Sequence, residues 1–351
     1  MHQGKGNRRA TALVAVAVAC AATLLVPALA GSSPYKPDKG KIWAGVSDTG
    51  RLEDYKQFRD ATGKHPAILE TFHGWGTKPG AAYRRWSAAK VRPMLHISTA
   101  DSFGGNEALS PRGIATGGGD AYLIQLNRFF GGAKKLPAYI RPMGEMNGAH
   151  NPYCAFNFNG TARDSAHSTT WFKKAWKRMV ILIRGGGSMK TINARLKKQK
   201  LPPVKPHGEK VSGSMSSAPV SFVWTPQHTS GPNISGNQPS NYFPGKSWVD
   251  WTGTDFYSSN PDWKAFLKFY ERWNFKPFAI TEWGVALRDQ PDFVSEVTNW
   301  AIRHRGKVRM LLYYQGFNGD TYSPYRYPSS LAKLRSKLHS GHFPAFTPEN
   351  G

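Results

Sequence analysis

Leu136-Pro137-Ala138-Tyr139-Ile140-Arg141-Pro142-Met143-Gly144-Glu145-Met146-Asn147-Gly148 runs from an apolar segment into a carboxylate, an amide side chain and a glycine. That is the pattern of a buried strand whose end opens into a polar loop. Phe278-Ala279-Ile280-Thr281-Glu282-Trp283-Gly284 has the same design much later in the chain. Between and around them, strand-like runs fall at 41–47, 66–72, 91–98, 136–142, 219–225, 248–257, 276–282 and 308–315. Helix-like stretches at 51–62, 80–90, 119–134, 168–184, 261–273, 290–304 and 327–339 follow most of them. In 168–184, Phe172, Ala175, Trp176, Met179, Val180 and Ile183 recur at the spacing of one buried helix face.

This alternation predicts an α/β fold, a single-domain (β/α)8 TIM barrel over residues 41–345. No convincing helix separates the fifth and sixth strands, and residues 226–247 read as an extended loop. The segment 185–218, which contains Lys197-Lys198-Gln199-Lys200, reads as an irregular basic insertion before strand five.

The first thirty residues have the character of a secretory leader. Lys5, Arg8 and Arg9 precede an apolar run, and Ala28-Leu29-Ala30 supplies a small-residue cleavage site. Residues 31–40 then read as a linker. The expected location is extracellular, with a membrane anchor through an uncleaved leader as the alternative. Cleavage leaves Cys154 alone, so no intrachain disulfide is available to the mature chain. The formal charge is +25, or +22 once Lys5, Arg8 and Arg9 are removed. Such a surface favours anionic polymers, including those of cell walls. No nucleic-acid-binding signature accompanies it, and nucleic acid is not expected as a partner. No metal-ligand spacing, phosphate-loop lysine or nucleophile elbow is present, so no metal or cofactor is expected. A monomer is expected.

In a barrel of this kind, Glu145 and Glu282 would stand at the C-terminal ends of strands four and seven, facing one cleft. Two such carboxylates suit glycoside hydrolysis: at about 5–5.5 Å they retain configuration, and a wider gap inverts it. The acid must keep its proton near neutrality, which calls for a pKa raised by an apolar setting or a neighbouring negative charge. Sugar rings pack on flat aromatic faces, and Trp75, Trp224, Trp251 and Trp283 all fall at or near strand ends, with Trp283 the strongest platform candidate. A core role is the other reading for each.

Arg-Pro-x-x-Glu-Met-Asn-Gly at 141–148, Val223-Trp224-Thr225-Pro226, Gly253-Thr254-Asp255-Phe256-Tyr257 and Glu282-Trp283-Gly284 together resemble glycoside hydrolase family 26. The resemblance runs from about Lys41 to Leu338. It implies an endo-β-1,4-mannanase-like enzyme with Glu145 as acid and base and Glu282 as nucleophile. It also implies that Tyr257 bonds the nucleophile and that His96 and Asn147 contact a polysaccharide substrate, with Arg141 and Asp255 in support. Other β-glycans, such as β-1,3-xylan or mixed-linkage glucan, are alternatives, as is a non-catalytic carbohydrate-binding barrel. The chain departs from the family pattern in three places. Gly144 stands where members carry histidine, Ala149-His150-Asn151-Pro152-Tyr153 follows the motif, and Tyr313-Tyr314-Gln315-Gly316 lacks the usual tryptophan.

Overall fold

Short β-branched and aromatic runs pair side by side because each is apolar on both faces and needs cover on both. The computed structural model describes residues 1–2 and 35–350, residues 103, 134, 210, 212 and 318 excepted. Beyond its first two positions, the expected leader lies outside the described residues. Among the described residues, no helix is long and apolar enough to cross a membrane. The barrel strands are β1 (Trp43–Ser47), β2 (Ile68–His73), β3 (Arg92–Ile97), β4 (Ala138–Pro142), β5 (Val220–Trp224), β6 (Trp251–Tyr257), β7 (Phe278–Gly284) and β8 (Val308–Tyr313). They form a closed parallel barrel in the order β1-β8-β7-β6-β5-β4-β3-β2, a (β/α)8 TIM barrel as expected.

Alternation along the strands divides the apolar residues between two cores. Ile68, Met94, Tyr139, Val223, Trp251, Ala279 and Met310 cluster with Trp43, Ala67 and Leu312 in the lumen. Leu69, Leu95, Ile97, Ile140, Phe222 and Ile280 belong to the larger cluster shared with the helices. Two residues beyond Ile68, Met94 and Tyr139 come Glu70, His96 and Arg141, so the lumen turns polar toward the strand ends. At the opposite end Tyr35 and Glu349 close the floor. The Tyr35 carbonyl accepts from Trp43 Nε1 at 3.1 Å and from the Tyr139 hydroxyl at 2.7 Å. Arg92 pairs with both carboxylate oxygens of Glu349, at 2.6 and 2.5 Å.

Strand β7 breaks the alternation. Opposite β6, Thr254 pairs with Ile280 but Asp255 pairs with Glu282. Opposite β8, Leu311 pairs with Ile280 and Tyr313 with Trp283. One extra residue in β7 resets the two-residue period. Had Ala279 kept the register, Trp283 would face the lumen and Glu282 the helices. The bulge exchanges them.

The segment 185–218 is more regular than its composition predicts. Strands Gly185–Ser188 and Ser214–Ser217 pair antiparallel and flank the helix Met189–Lys198. It remains outside the barrel and before β5, as expected. Its return limb is held by a buried ion pair. Arg178 donates to Asp120 at 2.6 and 2.5 Å and to the carbonyls of Pro202 and Pro203 at 2.9 and 3.1 Å. Asp120 Oδ2 also accepts from the Lys205 amide at 2.7 Å. Removing one member of such a pair leaves an uncompensated buried charge. Asp120→Ala should therefore cost about 3–5 kcal/mol in urea denaturation. A loss below about 1 kcal/mol would mean that water reaches Arg178.

Candidate active site

The strand ends open on a cleft of about 650 Å³, whose wall includes Asp48, Phe72, Arg85, His96, Arg141, Glu145, His150, Glu282 and Tyr314. Both glutamates singled out in the sequence therefore reach one cavity.

Arg141 lies at its base, fully buried. Its Nη1 donates to Glu70 Oε1 at 3.0 Å and to Glu282 Oε1, its Nη2 to Asp255 Oδ2, and its Nε to Thr225 Oγ1 at 2.7 Å. One cation thus faces three carboxylates in a dry interior, where three anions would be far too costly. Burial pushes Glu70 up to about 8, against the Arg141 charge and with help from Glu282. Burial also pushes Asp255 well above the usual carboxylate range, again against Arg141 and with Glu282 and Glu145 adding. Glu282 is placed differently. Its side chain is 15% exposed, against 1% for Glu70 and Asp255. Its second oxygen accepts from the Tyr257 hydroxyl at 2.7 Å. Burial, then the Glu282 and Asp255 charges, raise the Tyr257 phenol well above its ordinary value and keep it a donor. Donors on both oxygens suit an anion.

Glu145 sits three residues past β4, in a turn where Met143 and Glu145 have φ of 49° and 53°. Non-glycine residues adopt this left-handed region only when the surroundings hold them there. Here Glu145 N donates to the Thr225 carbonyl at 2.7 Å, Gly144 N to His96 Nε2 at 3.2 Å, and the Tyr153 hydroxyl to the Gly144 carbonyl at 2.6 Å. A Cβ at position 144 would come within 2.8 Å of Arg141 Nε and 2.9 Å of Cζ. With Arg141 in this place, a side chain at position 144 would require the guanidinium to shift.

The expectation of a raised Glu145 is corrected. Burial does push it up, but the hydrogen bond and charge of His150, with Arg141 and Gln227, outweigh this and leave the carboxyl below its ordinary value. His150 is 3.1 Å from Glu145 Oε2, and this bond raises the imidazole above its usual 6.5, aided by the Glu145 and Glu282 charges and opposed by burial.

Several predicted sugar contacts lie elsewhere. Trp283 is 1% exposed and packs in the outer layer edge-on to Tyr313, because the β7 bulge turns it there. Trp224 is fully buried against Phe243 and Trp273, since β5 keeps its alternation and points it to the helices. Trp251 fills the lumen beside Tyr139. Trp75 is half-buried and meets Tyr122 edge-on at 5.2 Å, outside the cleft wall. Asn147 is fully buried: Nδ2 donates to the Gln227 carbonyl and to Ser230 Oγ, and Oδ1 accepts from the Gln227 amide. It ties the β4 turn to the loop after β5 and is buried away from the cleft surface. His96 lines the cleft but is 9% exposed, and its Nε2 is committed to Gly144; burial, Arg141 and His73 hold it well below its usual value and neutral. Arg141 and Tyr257 bond Glu282, and Asp255 accepts from Arg141 and Thr281 instead.

Residues that sequence reasoning missed include Glu70, His150, Phe72 and Tyr314. Glu70 had a signal, a lone acid two residues from Ile68 and Phe72 on one strand face. Phe72 and Tyr314, edge-to-face at 6.0 Å, supply aromatic surface in the cleft in place of tryptophan.

No family model matches this sequence, and no curated protein does. Solved structures do match. A mannanase of Cellulomonas fimi, endo-β-1,4-mannanase as a double mutant, aligns with TM-score 0.57 at 15% identity, over 91% of this chain and 77% of that one. GH26A of a Muricauda species aligns with TM-score 0.54 at 16% identity over 87% and 91%. A β-mannanase from a symbiotic protist of the termite Reticulitermes speratus, complexed with gluco-manno-oligosaccharide, aligns with TM-score 0.51 at 15% identity over 91% and 97%. The likeness is one of fold: this chain shares its (β/α)8 barrel with GH26A and with these mannanases.

Glu70 tests the charge balance around Arg141. Its folded value of about 8 exceeds the ordinary 4.5, so its protonation favours the folded state fully below 4.5. That contribution is lost as pH rises through about 8. Relative to Glu70→Gln, the wild type should lose stability across this window, by at most about 1.4 kcal/mol per pH unit. A difference that stays flat from pH 4.5 to 8 in denaturant titrations would show Glu70 ionised throughout.

Proposed function

We propose that this protein is a secreted glycoside hydrolase that cleaves a β-linked polysaccharide by double displacement, with endo-β-1,4-mannanase-like activity. The observation that carries this reading is that Glu145 and Glu282 line one cleft at the strand ends while Arg141 and Tyr257 hold both oxygens of Glu282. In the first step the free lone pair of a Glu282 oxygen attacks the anomeric carbon, the glycosidic bond breaks, and Glu145 delivers a proton to the departing oxygen. In the second, Glu145 takes a proton from water, which displaces Glu282 and releases the sugar. The Tyr257 bond steadies the nucleophile, and Arg141 draws charge from it as the glycosyl ester breaks. Phe72 and Tyr314 offer the faces on which a pyranose ring packs. The basic exterior would hold the enzyme near anionic wall polymers.

A non-catalytic carbohydrate-binding barrel is the competing reading, and it leaves the donor pair on Glu282 without a purpose. Reducing-end release from mannan, glucomannan, β-1,3-xylan and mixed-linkage glucan decides between them. One of these should be hydrolysed with retained anomeric configuration by NMR. Glu282→Ala and Glu145→Ala should each lower that rate by about a thousandfold or more. Near-wild-type hydrolysis by either variant overturns the assignment. Export through residues 1–30 predicts a mature protein in the medium whose N-terminal sequence begins at Gly31. A protein that stays cell-bound with its leader intact would contradict it.

A further inference from the structure

Glu145 is bonded to a histidine that double displacement alone leaves without a task. His150 Nε2 lies 3.1 Å from Glu145 Oε2, and the imidazole side chain is half-exposed in the cleft wall. The ring reaches the carboxylate across Gly148, where a Cβ would come within 2.6 Å of His150 Cε1 and 3.0 Å of Gln227 Oε1. The glycine of the Glu-Met-Asn-Gly run is thus the opening through which His150 meets Glu145. Asn151 fastens the same corner: its Nδ2 donates to the Glu145 carbonyl at 3.0 Å, and His150 Nε2, 3.1 Å away, accepts from it only when the imidazole has given up its proton. The charged groups facing His150 are Glu145 and Glu282, with Arg141 acting on Glu145 from the lumen side.

Resting on the glycosidase reading above, we propose that His150 and Glu145 hold one proton between them, His150 storing it in the free protein and returning it to Glu145 for catalysis. His150 is then a positioning residue acting through Glu145. At the start the imidazolium Nε2–H points at the Glu145 carboxylate. As a glycan fills the cleft and displaces water, the proton moves from Nε2 to Oε2, leaving neutral imidazole and a carboxylic acid. The acid passes this proton to the glycosidic oxygen as Glu282 forms its bond to carbon and the leaving group departs as an alcohol. In the second step water gives a proton to Glu145 and its oxygen to carbon, the bond to Glu282 breaks, and the proton returns to Nε2. One proton is lent and one restored, with no other reactant. The arrangement also reconciles a carboxylate that rests ionised with a role that needs it protonated: the pair keeps the proton at pH values where Glu145 alone would have lost it.

Two measurements test this. Followed by NMR, the His150 imidazole should titrate above 6.5 in the wild type and fall by about one pH unit in Glu145→Gln. Equal midpoints in the two proteins overturn the shared proton. On the glycan found to be cleaved, His150→Gln should move the alkaline limb of kcat/KM to lower pH by about one unit. Aryl glycosides whose leaving group needs no protonation should lose far less rate than the glycan. An alkaline limb that stays in place while the rate falls would make His150 a structural prop only. If the wild type hydrolyses no glycan, the glycosidase reading fails, and the imidazole titration still decides whether the proton is shared.

Discussion

A guanidinium buried in the barrel lumen governs the chemistry of the strand ends. Arg141 is fully buried, so its donors turn to protein acceptors, and four bonds run to β2, β6, β7 and to Thr225 just beyond β5. Those bonds set where Glu282 stands. They also dictate what can stand nearby: a side chain at position 144 would collide with the guanidinium, so the chain passes Arg141 as glycine and turns through two left-handed residues. The unusual turn that presents Glu145 follows from the same cation that anchors Glu282.

The two cleft glutamates consequently live in opposite settings. Glu282 is bound to a cation that cannot lose its proton and to a phenol that keeps its own. Glu145 is bound to an imidazole whose proton is labile near neutrality. In the proposed reaction, such diverging partners would separate the roles of nucleophile and acid. Partners decide more than burial does: burial pushes both Glu70 and Glu145 upward, and His150 reverses the direction only at Glu145.

Much of the frame was legible along the chain. A strand buried on both faces must be apolar throughout, and a helix against it must repeat its apolar residues at three and four, so the eight strands and the main helices announce themselves locally. Glu145 was legible as a carboxylate beyond a strand, and Glu282 as its counterpart. The sugar platforms were not. Trp224 and Trp283 sit beside polar strand-end residues in sequence, yet a strand sends neighbours to opposite faces, and both point to the helices. Asn147 was placed with the substrate because it follows Glu145, but its amide closes a bridge to a loop 80 residues away. His150 lay in view as part of a departure from the family pattern, without any local sign that its ring returns to Glu145.

Periodicity and composition by themselves determined the barrel, its eight strands, the basic insertion and the pair of glutamates, because these depend on interactions within a strand or a helical turn. Tertiary structure alone decided which way side chains face and what each ionisable group meets. A single extra residue in β7 exchanges Glu282 and Trp283 between lumen and outer layer, and only the pairing of β7 with β6 and β8 reveals it. The protonation of Glu145 depends on Arg141 and His150, which flank it in the chain but reach it only through the fold of the turn, and on Gln227 from the loop after β5. Electrostatics acts through space, and a linear chain does not record distance between segments until it is folded.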